Sequence, residues 1–238
     1  AVLSSPCTIL HTPLDSTVFA HEAFGHLSEA DSLYENPRLL DVLVLGRKFG
    51  ESHLNITDGA ALPDHRGSFK YDDEGVRGGM TPLIREGVLV GRLHSRETAA
   101  KMGERVTGNA RAVSFRHRPI VRMTNTFIEP GTVSLADMLA DIKEGVYAKD
   151  MYGGQTATEM FTFSAAEAFM IRDGRLAEPL RGVLLSGNVF TTLANIDAVG
   201  NDLDFGGGGS CGKGEQANLP VGTGSPHIRI RNCVVGGQ

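Results

Sequence analysis

Glycine occupies 30 of the 238 positions, about 13 % against a usual level of about 7 %. No collagen period organises these glycines, so they serve turns, hairpins and close backbone approaches. Two hairpins stand out. Pro82 to Val90 folds back at Glu86-Gly87, and Phe169 to Leu176 folds back at Asp173-Gly174, the stronger turn signal. Extended runs are expected at 1–14 (broken by Pro6 and Pro13), 39–45, 156–172, 183–185 and 228–231. Helices are expected from Thr17 to about Leu33, behind a cap at Asp15 or Ser16 and closed by Asn36-Pro37, and at 95–102, 134–144 (capped by Ser134) and 187–199. Residues 57–82 and 206–209 read as loops. The expected class is α+β, a strand-rich, mostly antiparallel sheet domain with one important helix near the N-terminus. Neither a repeat nor a long linker divides residues 1–238, so they read as one domain.

Composition narrows the function classes. The 23 basic and 28 acidic residues give a net charge of −5, which argues against a dedicated nucleic-acid binder. No run approaches the roughly 18 apolar residues of a membrane span, and no signal peptide opens the chain. Three cysteines, at 7, 211 and 233, do not make a disulfide framework. A reducing, cytoplasmic location is the expectation, with a cysteine available as ligand or nucleophile. The chain starts at Ala1 and reads as part of a longer protein.

The sharpest chemistry lies in His21-Glu22-Ala23-Phe24-Gly25-His26. In the H-E-x-x-H zinc helix the histidines are four residues apart and share a face. A spacing of five sets them about 140° apart on a regular α-helix, too far for one metal. Both can bind one ion only if the helix is locally widened into a π-bulge or ends near Gly25. Read alone, the motif is better explained by ordinary polar residues on a partly exposed helix. Neutral imidazole suits zinc, and a neighbouring glutamate can take a proton from water activated by the metal. A catalytic zinc site needs a third protein ligand. Cys211 offers it, in a glycine-rich stretch where Lys213 favours the thiolate; a buried free cysteine is the plainer alternative. The same stretch nearly matches a phosphate-binding loop, but Gly214 stands where Ser or Thr is needed, so a nucleotide site is rejected. Cys7 and Cys233 read as buried structural thiols.

Seven segments in order resemble the TldD/PmbA family of metallopeptidases, once called modulators of DNA gyrase. They are His21 through Asp31, Asp72-Asp73-Glu74-Gly75, Arg122-Met123-Thr124-Asn125-Thr126, Gly153-Gly154-Gln155, Gly200-Asn201-Asp202-Leu203, Cys211-Gly212-Lys213 and Val235-Gly236-Gly237. The match runs from about residue 15 to the end and is to the family's C-terminal catalytic domain, without its N-terminal domain. The resemblance implies that His21, His26 and Cys211 bind Zn²⁺ and that Glu22 is the catalytic acid/base, making the N-terminal helix a zinc-binding one. It implies the metal-bearing TldD-like type, working on peptides as a homodimer or as a heterodimer with a PmbA-like subunit. No nucleic-acid or membrane partner is expected. The competing class is a non-catalytic peptide-binding or assembly subunit.

Other residues carry weaker expectations. Glu29, three residues after His26, is equally a partner orienting that histidine or a solvated carboxylate; Asp31 is weaker still. His65 could donate to an oxyanion but reads better as a surface-loop histidine. His53, His94 and His227 have no partner pattern. Arg111, Arg116, His117, Arg118 and Arg122 read as a solvated face or dimer contact. Gly153-Gly154-Gln155 could pair edge-on with an extended peptide, or mark a glycine bulge.

Overall fold

A computed structural model describes residues 6–13, 20–157 and 159–236. Its strands, in chain order, are β1 (Pro6–His11), β2 (Ile56–Gly59), β3 (Met80–Arg85), β4 (Val88–Leu89), β5 (Ala110–Arg111), β6 (Ile120–Val121), β7 (Asn125–Ile128) and β8 (Glu144–Ala157). After these come β9 (Met160–Arg172), β10 (Arg175–Leu180), β11 (Leu184–Asn188), β12 (Ile196–Val199), β13 (Asp204–Phe205), β14 (Gly209–Lys213), β15 (Gln216–Ser225) and β16 (Ile228–Gly236). The α-helices are all short: α1 (Ala30–Tyr34), α2 (Pro37–Val42), α3 (Arg96–Met102), α4 (Leu135–Ala140) and α5 (Val189–Ala194). None is long and apolar enough to cross a membrane.

One sheet closes on itself. Strands β1, β8, β9, β11 and β16 pair in that order, and β16 pairs back onto β1. Closure removes the free edges that would otherwise invite foreign strands. Only β1–β8 is parallel in this barrel; the other pairings are antiparallel. β9 alternates buried and exposed side chains, with Phe161, Phe163 and Ala165 inward. β1 is buried on both faces. Ile9 packs in the main core, while Leu10, pointing the other way, packs against Met138 and Ile142 around α4. The second sheet runs β13-β15-β7-β2-β3-β4, with β14 also on β15. The main core joins both layers through Ile56, Leu83, Met123, Val146, Phe163 and Ile230. Burying each such side chain contributes about 1.5–3 kcal/mol.

Both expected hairpins form. Glu86 and Gly87 have φ of 49° and 76°, and Asp173 and Gly174 have 46° and 75°. Positive φ at both central residues is the turn that matches strand twist. The strand-rich, mostly antiparallel character holds, and several boundaries change. Residues 39–45 are not a strand. Asn36 accepts a hydrogen bond from Leu39 N–H at 3.2 Å and Pro37 sits at the first helical position, so Asn36-Pro37 opens α2 instead of closing the preceding helix. The expected helix 17–33 begins partly outside the described residues and breaks at Glu29, which is extended. The expected strand 156–172 is two strands, with β8 reaching back to Glu144 and taking the end of the expected helix 134–144. The expected helix 187–199 is α5 followed by strand β12, because β16 offers Ile196–Val199 a pairing edge. The loop 57–82 starts in β2 and ends in β3.

Candidate metal centre

His21–Gly25 is a single π-turn, followed by a 3₁₀ turn over His26–Ser28. The His26 N–H donates to the His21 carbonyl, an i→i+5 bond. That wider turn sets His26 above His21, removing the misalignment that a spacing of five has on a regular helix. The rings meet edge to face with centroids 5.1 Å apart. Packing is close at the end of this turn. A Cβ on Gly25 would lie 2.1 Å from Met123 Sδ, so the glycine leaves room for the Met123 side chain against the turn. Phe24 is fully buried on the opposite side of the motif from solvent. The segment then ends firmly: Ser28 Oγ donates to the Phe24 carbonyl at 2.9 Å, and Leu93 N–H bonds the Ser28 carbonyl at 2.8 Å.

Cys211 arrives from the far end of the chain on β14, which pairs with β15 with a register break between Cys211 and Lys213. Its Sγ lies 3.1 Å from His21 Nε2 and 3.2 Å from His26 Nε2. The three ligand atoms fall within 4.8 Å of one another, forming the one such group among the described residues. Two imidazoles and a thiolate suit zinc, with bonds of about 2.0–2.3 Å.

Electrostatics around the cluster are uneven. Burial, helped by the nearby His26, pulls His21 down to about 3, so its ring is neutral as ligation requires. Burial also pulls on His26, but hydrogen bonds to Cys211 and Glu29 outweigh it and raise the group to about 10. Burial, reinforced by the Glu29 charge, raises the Glu22 carboxyl, with His26 opposing. His21 Nδ1 is buried with no hydrogen-bond partner among the described residues.

Glu29, 1 % exposed, is not a solvated carboxylate. It accepts from His26 Nδ1 at 3.3 Å and Arg122 Nε at 3.3 Å, and pairs with the Lys213 ammonium at 3.0 Å. Lys213 also reaches Asp31 Oδ1 at 2.5 Å and the Val121 carbonyl at 3.2 Å. Arg122 is fully buried, and Arg111 donates to the carbonyls of Met123 and Pro220 at 2.6 and 2.7 Å. These two arginines are thus interior residues, which corrects their expected place on a solvated face or dimer contact; Arg116 and Arg118 are exposed. The periodicity of the run hid this, because the charges are buried by partners more than 10 residues away.

The remaining candidates lie apart from the cluster. His65 bonds the Pro63 carbonyl at 2.6 Å and meets the Phe205 ring. His53 bonds the Ile196 carbonyl, His94 bonds Thr98 and Glu104, and His227 sits between Asp202 and Tyr147. Cys7 and Cys233 face each other across β1 and β16, and burial pushes their thiols up to about 11 and about 12. The Asp72–Gly75 segment is a clamp: Asp72 accepts from the N–H groups of Glu74, Val76 and Ala110. The Gly153–Gln155 segment lies in β8, where Phe163 covers Gly154; a Cβ there would fall 1.8 Å from the ring.

The structure thus brings two histidines and a cysteine into one potential metal-binding group on a strand-rich fold, and sequence relatives place the chain more closely. The profile of the PmbA/TldA metallopeptidase C-terminal domain matches residues 4–237. A metalloprotease of Synechocystis sp. is 59 % identical over 226 residues, covering 95 % of this chain and 49 % of the relative. A zinc metalloprotease TldD homolog of Saccharolobus solfataricus is 37 % identical over 227 residues, covering 92 % and 49 %. The chain belongs to the PmbA/TldD metallopeptidase family. It spans about half the length of these curated relatives. Solved structures share the fold. TldE from Thermococcus kodakarensis superposes with a TM-score of 0.74 at 20 % identity, over 98 % of this chain and 50 % of that one. A Thermotoga maritima protein described as a modulator of a DNA gyrase gives 0.79 at 23 %, over 98 % and 50 %.

Proposed function

We propose that this chain is the catalytic, C-terminal domain of a longer zinc-dependent peptidase that hydrolyses peptide bonds in unfolded peptides or small proteins. The observation that carries the proposal is the meeting of His21 Nε2, His26 Nε2 and Cys211 Sγ within 4.8 Å, with no fourth protein donor grouped with them among the described residues. A structural zinc is closed by four protein ligands, whereas a catalytic one keeps an open position. The relatives named metalloproteases support the same class.

Zinc held by His21, His26 and Cys211 would polarise the scissile carbonyl and make water nucleophilic near neutral pH. The chain's own residues do the rest. Neutral His21 and deprotonated His26 offer their Nε2 lone pairs, and Cys211 supplies a thiolate that offsets the ion's charge. Glu22, next to one ligand and raised by burial, takes the water proton and delivers it to the leaving amine. A homodimer, or a heterodimer with a PmbA-like subunit, is the assembly we propose.

Glu22→Gln separates the proton step from metal binding. The variant is expected to hold as much zinc as wild type and to lose peptide hydrolysis by about 10²–10⁴-fold in kcat. Near-normal cleavage would contradict the proton role given to Glu22.

A further inference from the structure

Of the two histidines in the cluster, only one has its second nitrogen supported. Among the described residues, His21 Nδ1 has no hydrogen-bond partner. His26 Nδ1 faces Glu29 Oε2 at 3.3 Å while His26 Nε2 faces Cys211 Sγ at 3.2 Å. Ligating histidines are usually oriented by such a group, which fixes the tautomer and the ring plane.

Glu29 also reaches the other ligand-bearing element. The same oxygen, Oε2, lies 3.0 Å from Lys213 Nζ, two residues beyond Cys211 on β14. Its second oxygen takes Arg122 Nε at 3.3 Å. The backbone beneath it is fixed. Glu29 bridges Leu93 in parallel fashion, Ala30 N–H bonds the Leu93 carbonyl at 3.0 Å, and Leu93 N–H bonds the Ser28 carbonyl at 2.8 Å. Glu29 precedes α1 at its N-cap position, yet its side chain makes no capping bond and turns toward the cluster instead. Such a buried carboxylate is tolerable only with its partners in place.

We infer that Glu29 is the positioning residue of the metal centre, orienting His26 through Nδ1 and holding the Cys211 strand through Lys213, so that ligands 185 residues apart in sequence are set by one carboxylate. This rests on the zinc site proposed above. In the loaded site Glu29 accepts the Nδ1 proton of neutral His26, leaving Nε2 free to ligate. A glutamine cannot serve all three donors, because one of its two terminal atoms is itself a donor.

The test measures zinc affinity by chelator competition, and the visible spectrum of the cobalt(II)-substituted site, in the intact protein. Variants are Glu29→Gln, Lys213→Met, Lys213→Arg and the Glu29→Gln/Lys213→Met pair. Glu29→Gln is expected to weaken zinc by about 10–100-fold and to shift the cobalt bands. Lys213→Met is expected to do less, to add little on top of Glu29→Gln, and to be largely restored in Lys213→Arg. Wild-type affinity and an unshifted spectrum in Glu29→Gln and Lys213→Met would overturn the inference, even with a lowered Tm, and would leave zinc binding intact. If Glu29→Gln does not fold, the lysine pair decides: weak zinc in Lys213→Met with recovery in Lys213→Arg supports the role, and wild-type affinity in Lys213→Met overturns it. A wild-type protein that takes up neither metal removes both the site and the role of Glu29.

Discussion

Gly25 is the residue on which the metal cluster turns geometrically. Its missing Cβ is what lets Met123 Sδ lie against the π-turn, 2.1 Å from where that carbon would be. Gly25→Ala is therefore expected to destabilise by about 1–3 kcal/mol through overpacking, read as a lowered denaturation midpoint. Since Met123 is buried and flexible, Met123→Ala should relieve part of this cost, so the double variant loses less than the two singles together. Additive losses would show that Gly25 matters for another reason. Asp58 sets a second residue-scale constraint beneath the site. Its two oxygens accept from Thr124 N–H, Thr124 Oγ1, Thr126 Oγ1 and Asn109 Nδ2 at 2.7–2.9 Å. Asn125 alongside accepts from Gly67 N–H and donates to the Gly59 carbonyl. These bonds fix the Arg122–Thr126 segment, which leads into β7, in place. Asp58→Ala would strip an acceptor from four buried donors and is expected to cost several kcal/mol, measured by urea unfolding; a loss below about 1 kcal/mol would contradict that role.

Among the elements, the β8–β9 hairpin shows how glycine is used. Gly154 pairs with Phe163, whose ring covers it at 1.8 Å from an added Cβ. Gly154→Val is expected to displace the ring from the barrel core and lower the urea midpoint, with a loss of about 1–3 kcal/mol; an unchanged midpoint would mean the hairpin yields freely. Elements of this kind were unevenly legible. Glu86-Gly87 and Asp173-Gly174 announce themselves because positive φ at two successive positions selects a short list of residues. His21, His26 and Cys211 could be singled out because few residue types bind metals, and the need for a widened turn followed from arithmetic on their spacing. β14 and β15 were hidden, since Gly-rich strands carry little alternation and their pairing is set by β7 and β13. Leu39 to Leu45 misled because a short apolar run fits helix or strand equally, and Asn36-Pro37 decided it from outside the run. Arg122 could not be placed at all without knowing that Glu29 lay opposite.

At the scale of the whole molecule, the barrel is pinned where its last strand meets the rest. Asp197 on β12 takes a two-bond fork from Arg229 at 2.8 and 3.0 Å and a further bond from Arg231 at 2.6 Å. Burial tends to raise the Asp197 carboxyl, but those hydrogen bonds outweigh it and hold it below the usual carboxylate range. A carboxyl lowered on folding adds stability that is complete above its unfolded value, near about 3.9, and is lost as pH falls through the folded value. Tm should thus drop as pH falls below about 4, and Asp197→Asn should be less stable at neutral pH with a shallower acid decline. Parallel Tm-against-pH curves for the two proteins would contradict this.

The two ends of the chain meet at the proposed metal site, where His21 and Cys211 are 190 residues apart. Zinc per chain, measured by elemental analysis on the wild-type protein and Cys211→Ala side by side, tests that meeting most directly. About one zinc per wild-type chain, lost or readily stripped from the variant, is the expected result. Wild-type protein without zinc even after metal is supplied, or a Cys211→Ala variant that holds zinc as tightly as wild type, would contradict a catalytic His₂Cys centre.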